Sequence, residues 1–342
     1  MDRLTIRRPD DWHLHLRDGA MLSLVAPLSA DMGRALVMPN LVPPVVTGAQ
    51  AAAYRDRIVA AGFARPLMTV YLTEGTDPAD LIAAHAAGIV TAVKLYPAGA
   101  TTNSGSGVQR FDAIRPVLEA MEEHGIPLCV HGEVTDPDID VFDREAAFID
   151  RRLMPMRDAH PDLKITMEHI TTVDAAAFVR ETGIGATITV QHLMANRNDM
   201  LAGGMRPHFY CLPILKRRRH QEALRTLATS GATNVFLGTD SAPHPTHVKE
   251  AACCAAGCLT APIALAAYAQ VFDEEGALDC FEGFASLNGP AHYGLPPNED
   301  RVTLHRGDPI AALPALERGE TVVTPFDPGR PIRWHVEGNG GC

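Results

Sequence analysis

The sequence predicts an α/β protein built on a (β/α)8 TIM barrel with a C-terminal helical and irregular extension. Three observations predict it. Short apolar runs rich in branched residues alternate with Ala-rich helical stretches, the pattern of a parallel sheet with helical crossovers. Eight such runs occur over about 240 residues, the strand number and size typical of a closed barrel. Residues able to do chemistry stand at the C-terminal ends of those runs, where barrel enzymes build their sites.

The first strand is expected at residues 12–16, where His13 and His15 alternate with Leu14 and Leu16. Alternation points both imidazoles to one face, with Arg17 continuing it. The second strand, 34–38, ends in Pro39-Asn40. A helix at 49–61 leads to a third strand, 67–72, and a helix at 78–87 to a fourth, 89–96. A Gly/Ser/Thr-rich loop fills 97–109, then come a helix at 111–124 and a fifth strand at 127–131. A helix at 143–159 precedes the sixth strand, 164–169, and the seventh is 185–190. A helix starting near Lys216 precedes the eighth, 235–240. No linker or composition shift divides the chain. We therefore expect one domain over 1–342, with the barrel core at about 11–250 and the extension at about 251–342. The tail 337–342 is expected to be frayed.

Composition narrows the function classes. With 46% hydrophobic and 21% charged residues, the chain reads as a soluble globular enzyme. A net charge of -11 argues against nucleic-acid binding and against an anionic membrane surface. The basic run Lys216 to Arg219 reads as a solvated helix end. No apolar leader follows the charged N-terminus. The uncharged stretch 251–270 is long enough to span a bilayer but is mostly Ala with Gly257 and Pro262 inside, and reads as a loop followed by a buried helix. Seven scattered cysteines suggest no disulfide framework, so reduced thiols in a cytoplasmic protein are expected.

His13, His15 and Arg17, then Asn40, Lys94, His131, His169 and Asp240, with His244 just after, land on one rim. His85, His124 and His160 fall in helices or loops and read as surface residues. His13 and His15 alone are also compatible with an edge strand of solvated histidines. With the others, His13, His15 and Asp240 can hold one ion and His131 with His169 a second. Two close dications need a bridging anion. Lys94 could supply one only as a carbamate; the rival reading is a Schiff-base lysine, which needs a dry pocket and no metal.

The set His13-x-His15, Lys94, His131, His169 and Asp240 resembles the amidohydrolase superfamily. Longer blocks narrow it: Arg8 to Gly19, Val37 to Leu41, Lys94 to Pro97, Val130 to Val134, Glu168 to Thr172 and Gly238 to His244. Together they resemble the shorter, bacterial class II dihydroorotases, from about Leu4 to Trp334. The resemblance implies reversible hydrolysis of (S)-dihydroorotate to N-carbamoyl-L-aspartate in pyrimidine synthesis. It implies two zinc ions: one on His13, His15, Asp240 and carboxylated Lys94 (N6-carboxylysine), the other on His131, His169 and the same Lys94. A hydroxide bridging the ions would attack, with Asp240 as general base and then general acid. Arg17, Asn40 and His244 would hold the substrate carboxylate, although Asn40 also reads as a turn residue. Backbone groups of Leu212 and Ala256 would read the ring, and Thr101 and Thr102 would contact substrate from a lid. A homodimer is also implied. The alternatives are a hydantoinase- or allantoinase-like cyclic amidase, or an inactive scaffold homologue.

Overall fold

Branched and apolar runs become eight parallel strands, paired in chain order, in the computed structural model, which describes residues 2–338. An N-terminal strand, β1 (Arg3–Arg7), comes first. The barrel strands are β2 (Asp11–Leu14), β3 (Ala35–Val37), β4 (Pro66–Tyr71), β5 (Val90–Leu95), β6 (Leu128–His131), β7 (Ile165–Glu168), β8 (Gly185–Ile188) and β9 (Val235–Leu237). The ring closes between β9 and β2, just beyond the strand ends. There the Asp240 N–H donates to the His13 carbonyl at 2.9 Å, and the His15 N–H donates to the Ser241 carbonyl at 3.1 Å.

Alternation along each strand decides what faces the lumen. Trp12, Leu36, Met38, Ala92, Cys129, Phe236 and Tyr293 form one small buried cluster. Val37, Val93, Leu95, Leu128 and Val130 belong to the main core instead. Tyr293 stacks on Trp12 with centroids 4.4 Å apart. Its hydroxyl meets Cys129 Sγ at 3.2 Å and Thr166 Oγ1 at 3.0 Å. Two residues beyond Met38, Ala92 and Cys129, on the same faces, come Asn40, Lys94 and His131. The floor of the lumen is thus apolar, and the layer above it carries the polar groups.

Most expected elements recur with ends shifted by a residue or two, as end fraying allows. The 111–124 helix starts only at Arg115. The 143–159 helix contains a π turn, Ile149–Leu153, just before Pro155, whose missing N–H cannot continue an α ladder. A helix not expected, Val173–Thr182, joins β7 to β8; Thr172 caps it through a bond from the Ala175 N–H. The stretch 251–270 is a loop and then a buried helix, Ala264–Glu274. Among the described residues, no helix is long and apolar enough to cross a membrane.

Four expectations are corrected. The C-terminal section is not only helical and irregular: β10 (Arg301–Arg306) pairs antiparallel with β1 and with β13 (Trp334–Val336), and β11 (Leu316–Arg318) pairs with β12 (Thr321–Val323). Glu337 is tied down, accepting from Arg3 Nη2 at 2.9 Å and donating its N–H to Thr303; residues 339–342 lie outside the described residues. His160 is buried, 3.2 Å from the Glu122 carboxylate. The basic run is also not uniformly solvated. Arg217 to Arg219 are exposed, but Lys216 is buried.

Candidate metal centre

The seam between β2 and β9 brings His13, His15 and Asp240 to one point. His13 Nε2 and His15 Nε2 lie 3.1 Å apart. Asp240 Oδ1 is 3.4 Å from the first and 3.1 Å from the second. His15 Nδ1 donates to Asn40 Oδ1 at 2.9 Å, so its Nε2 carries a lone pair. His13 Nδ1 lies 3.0 Å from Glu168 Oε1, but neither atom makes a hydrogen bond there. Burial pushes His15 down to about 4 and His13 well below the usual imidazole value, so both rings are neutral at pH 7. Two uncharged imidazoles and a carboxylate oxygen then converge on one point. A cation at their centre satisfies all three, and ligands about 2.0–2.1 Å from a tetrahedral ion stand about 3.3 Å apart. The donor set fits a divalent metal, with the Asn40 amide orienting the His15 ring from behind.

A second set adjoins the first. His131 donates from Nε2 to Glu133 Oε2 at 2.9 Å, which leaves Nδ1 as its lone pair. Its ring centroid is 4.8 Å from that of His169, which is 4.9 Å from that of His13. His13, Glu168 and His169 also group as potential ligands. Lys94 is fully buried, pressed against the Glu168 carboxylate, with Nζ 4.7 Å from the centre of the Tyr96 ring. Burial lowers its pKa to about 7.

Backbone conformation marks the same residues. Among the described residues, the non-glycine positions with positive φ are Arg17 (58°), Asn103 (57°), His169 (42°) and Asp240 (45°). Such conformations cost energy and collect at functional sites. At His169 the turn has a direct effect. Alternation from Thr166 places Glu168 in the lumen and would turn the next residue away; the left-handed backbone brings His169 in as well.

His13, His15, Arg17, Asn40, Thr101, Thr102, His131, His169, Leu212, Asp240 and Ala256 line one cavity. Lys94 lies beneath it and His244 at its edge, where His244 Nε2 is 3.1 Å from Arg17 Nη2 and 2.9 Å from the Ala256 carbonyl. Burial, then the Arg17 charge, drives His244 down to about 2, so that ring is neutral. Arg17 Nε donates to the Pro243 carbonyl at 3.1 Å, which leaves the guanidinium edge directed at the cavity. The 97–109 loop is folded over it. Thr102 Oγ1 donates to the Ala256 carbonyl at 3.3 Å, and Asn40 Nδ2 donates to the Thr102 carbonyl at 3.1 Å.

Three acids escaped the sequence reading. Glu168 stands between His13 and Lys94, and strand alternation on β7 was the available signal. Glu133, two residues past His131 and outside any strand, offered none. Asp11 staples the seam: its carboxylate accepts from the N–H groups of His13 (3.1 Å) and Thr239 (2.9 Å) and from Thr239 Oγ1 (2.6 Å). Burial nonetheless raises Asp11 to about 7.

A closed (β/α)8 barrel that gathers histidines and carboxylates able to hold a metal on its C-terminal rim is the arrangement of an amidohydrolase, and the chain belongs to that class: the model of the Amidohydrolase family matches residues 10–302. A dihydroorotase of Ruegeria pomeroyi is 68% identical over 341 residues, covering 97% of this chain and 98% of the relative. A Campylobacter jejuni dihydroorotase structure is 38% identical, with TM-score 0.89 over 98% of this chain and 97% of its own. A Saccharomyces cerevisiae dihydroorotase solved with 5-fluoroorotic acid is 32% identical, with TM-score 0.92 over 98% and 99%. Within the amidohydrolases, the chain belongs to the dihydroorotase family.

Proposed function

We propose that the chain hydrolyses (S)-dihydroorotate reversibly to N-carbamoyl-L-aspartate in pyrimidine synthesis. The observation that carries this is one cavity lined by His13, His15 and Asp240 and also by Arg17 and Asn40, with His244 at its edge against Arg17. The yeast relative binds 5-fluoroorotic acid, a carboxylated pyrimidine, which agrees with that corner. His13, His15 and Asp240 would hold one zinc ion, His131 and His169 a second, with Lys94, once carboxylated, between them. When bound, such ions supply Lewis-acid polarisation of a carbonyl and a water acidic enough to attack at neutral pH.

The remaining work falls to the chain itself. Arg17 pairs the substrate carboxylate, assisted by Asn40 and neutral His244. Backbone groups of Leu212 and Ala256 orient the ring, and Thr101 and Thr102 exclude water when the loop is down. Asp240 takes a proton from the attacking water and returns it to the leaving amide nitrogen as the ring opens. The amine form of Lys94 is the one that captures carbon dioxide, and a buried site favours an uncharged amine. The β1–β10–β13 sheet joins both ends of the chain, which supports reading 1–342 as one domain. A cytoplasmic homodimer completes the proposal.

The test is dihydroorotate hydrolysis by the purified protein before and after chelation, with zinc and bicarbonate restored separately and together. Activity lost to the chelator and recovered only with both supports the whole reading. Turnover of hydantoin without dihydroorotate would move the substrate to the hydantoinase alternative.

A further inference from the structure

We propose that Lys216 is a positioning residue that holds the His131 side of the metal centre through Glu133. The inference rests on the reading of His131 and His169 as ligands. Lys216 opens a run of four basic residues, yet it alone is buried, while Arg217, Arg218 and Arg219 are exposed. A buried ammonium is unfavourable unless its surroundings compensate it. Lys216 Nζ donates to the Ile214 carbonyl at 3.2 Å and lies 4.0 Å from Glu133 Oε1. Glu133 is buried too, and among the described residues its Oε1 has no hydrogen-bond partner. Its Oε2 takes the Nε2–H of His131.

That contact sets which His131 nitrogen carries the proton and so which one can bind a metal. A carboxylate with one oxygen on His131 and the other drawn to a cation cannot rotate without leaving that cation. Lys216 therefore fixes the carboxylate that fixes the imidazole. The Lys216 charge also acts on Glu145. Glu145 clamps the turn after His169 by accepting from the Thr171 N–H at 2.8 Å and from Thr171 Oγ1 at 2.9 Å. One buried cation thus acts on the supports of both histidines from outside the cavity they line.

The test compares the wild type with Lys216→Met, Lys216→Arg, Glu133→Gln and the Lys216→Met/Glu133→Gln double variant. Each is stripped of metal and titrated with Co2+ in bicarbonate. Bound metal per chain and the cobalt d–d absorption are read, and circular dichroism checks folding. We expect Lys216→Met to keep the first ion at wild-type affinity and to bind the second about 10–100-fold more weakly, with the second ion's absorption altered. Glu133→Gln should do the same, and the double variant should be no weaker than Glu133→Gln alone, because both act along one chain of contacts. Lys216→Arg, which keeps the charge, should recover most of the affinity. The double variant removes both buried charges and serves if Lys216→Met fails to fold. Wild-type affinity for the second ion in folded Lys216→Met overturns the proposal. So does a double variant whose loss is the product of the single losses. A wild type that binds a single ion overturns the ligand reading of His131 and His169, and this proposal with it.

Discussion

Removing the Asp11 carboxylate should open the seam on which the ligand triangle depends. Asp11 is 1% exposed and accepts three bonds, two from backbone N–H groups and one from a hydroxyl. They tie β2 to the segment just after β9, beside the backbone bonds of His13 with Asp240 and of His15 with Ser241. In Asp11→Ala all three donors lose their acceptor. The Thr239 hydroxyl has a second acceptor, the His13 carbonyl at 3.3 Å, so its loss is partly made good. The two N–H groups are left buried without a partner, at about 1–3 kcal/mol each. With the lost hydroxyl bond, the total is about 3–6 kcal/mol, a large share of the stability of an ordinary domain. Asp11→Asn keeps one oxygen for the two N–H groups and turns its amide toward Thr239, whose hydroxyl can accept instead. It should cost about 1 kcal/mol. Urea unfolding of metal-stripped protein, compared at constant slope, reads both variants. Cobalt titration should then find the first ion bound more weakly in Asp11→Ala and little changed in Asp11→Asn. An Asp11→Ala midpoint close to the wild type, or two variants of equal cost, would refute the reasoning.

Further outcomes follow from the same geometry. Arg17→Met should raise the KM for dihydroorotate about 10–100-fold through loss of a charge-assisted pair, with metal content unchanged by elemental analysis. Thr101→Ala/Thr102→Ala should lower turnover while both ions stay bound, since the loop touches the cavity from above; loss of metal would sink the lid assignment. Lys94→Met should lower metal content and abolish activity that zinc and bicarbonate cannot restore, because it removes the amine placed between the two ligand sets. His131→Ala should leave one ion per chain rather than none, as the His13–His15–Asp240 triangle does not depend on it.

The sequence by itself determined which residues face the lumen wherever a strand runs straight. Side-chain direction along a strand is local, so Lys94 follows from Ala92, His131 from Cys129 and Asn40 from Met38. The motifs around His13, Lys94, His131, His169 and Asp240 were legible for the same reason, each lying within a few residues of chain. What brought them together was not local. Barrel closure sets Asp240 against His13 and His15, and the pairing of β1 with β10 joins segments from opposite ends of the chain. Glu168 and His169 share the lumen only because the backbone turns left-handed between them, a conformation stabilised by surrounding structure rather than favoured by histidine. Lys216 looks like any solvated cation in its basic run until distant chain closes over it. Burial, and with it the local dielectric and the partner of every buried charge, is a property of the assembled barrel and not of any segment within it.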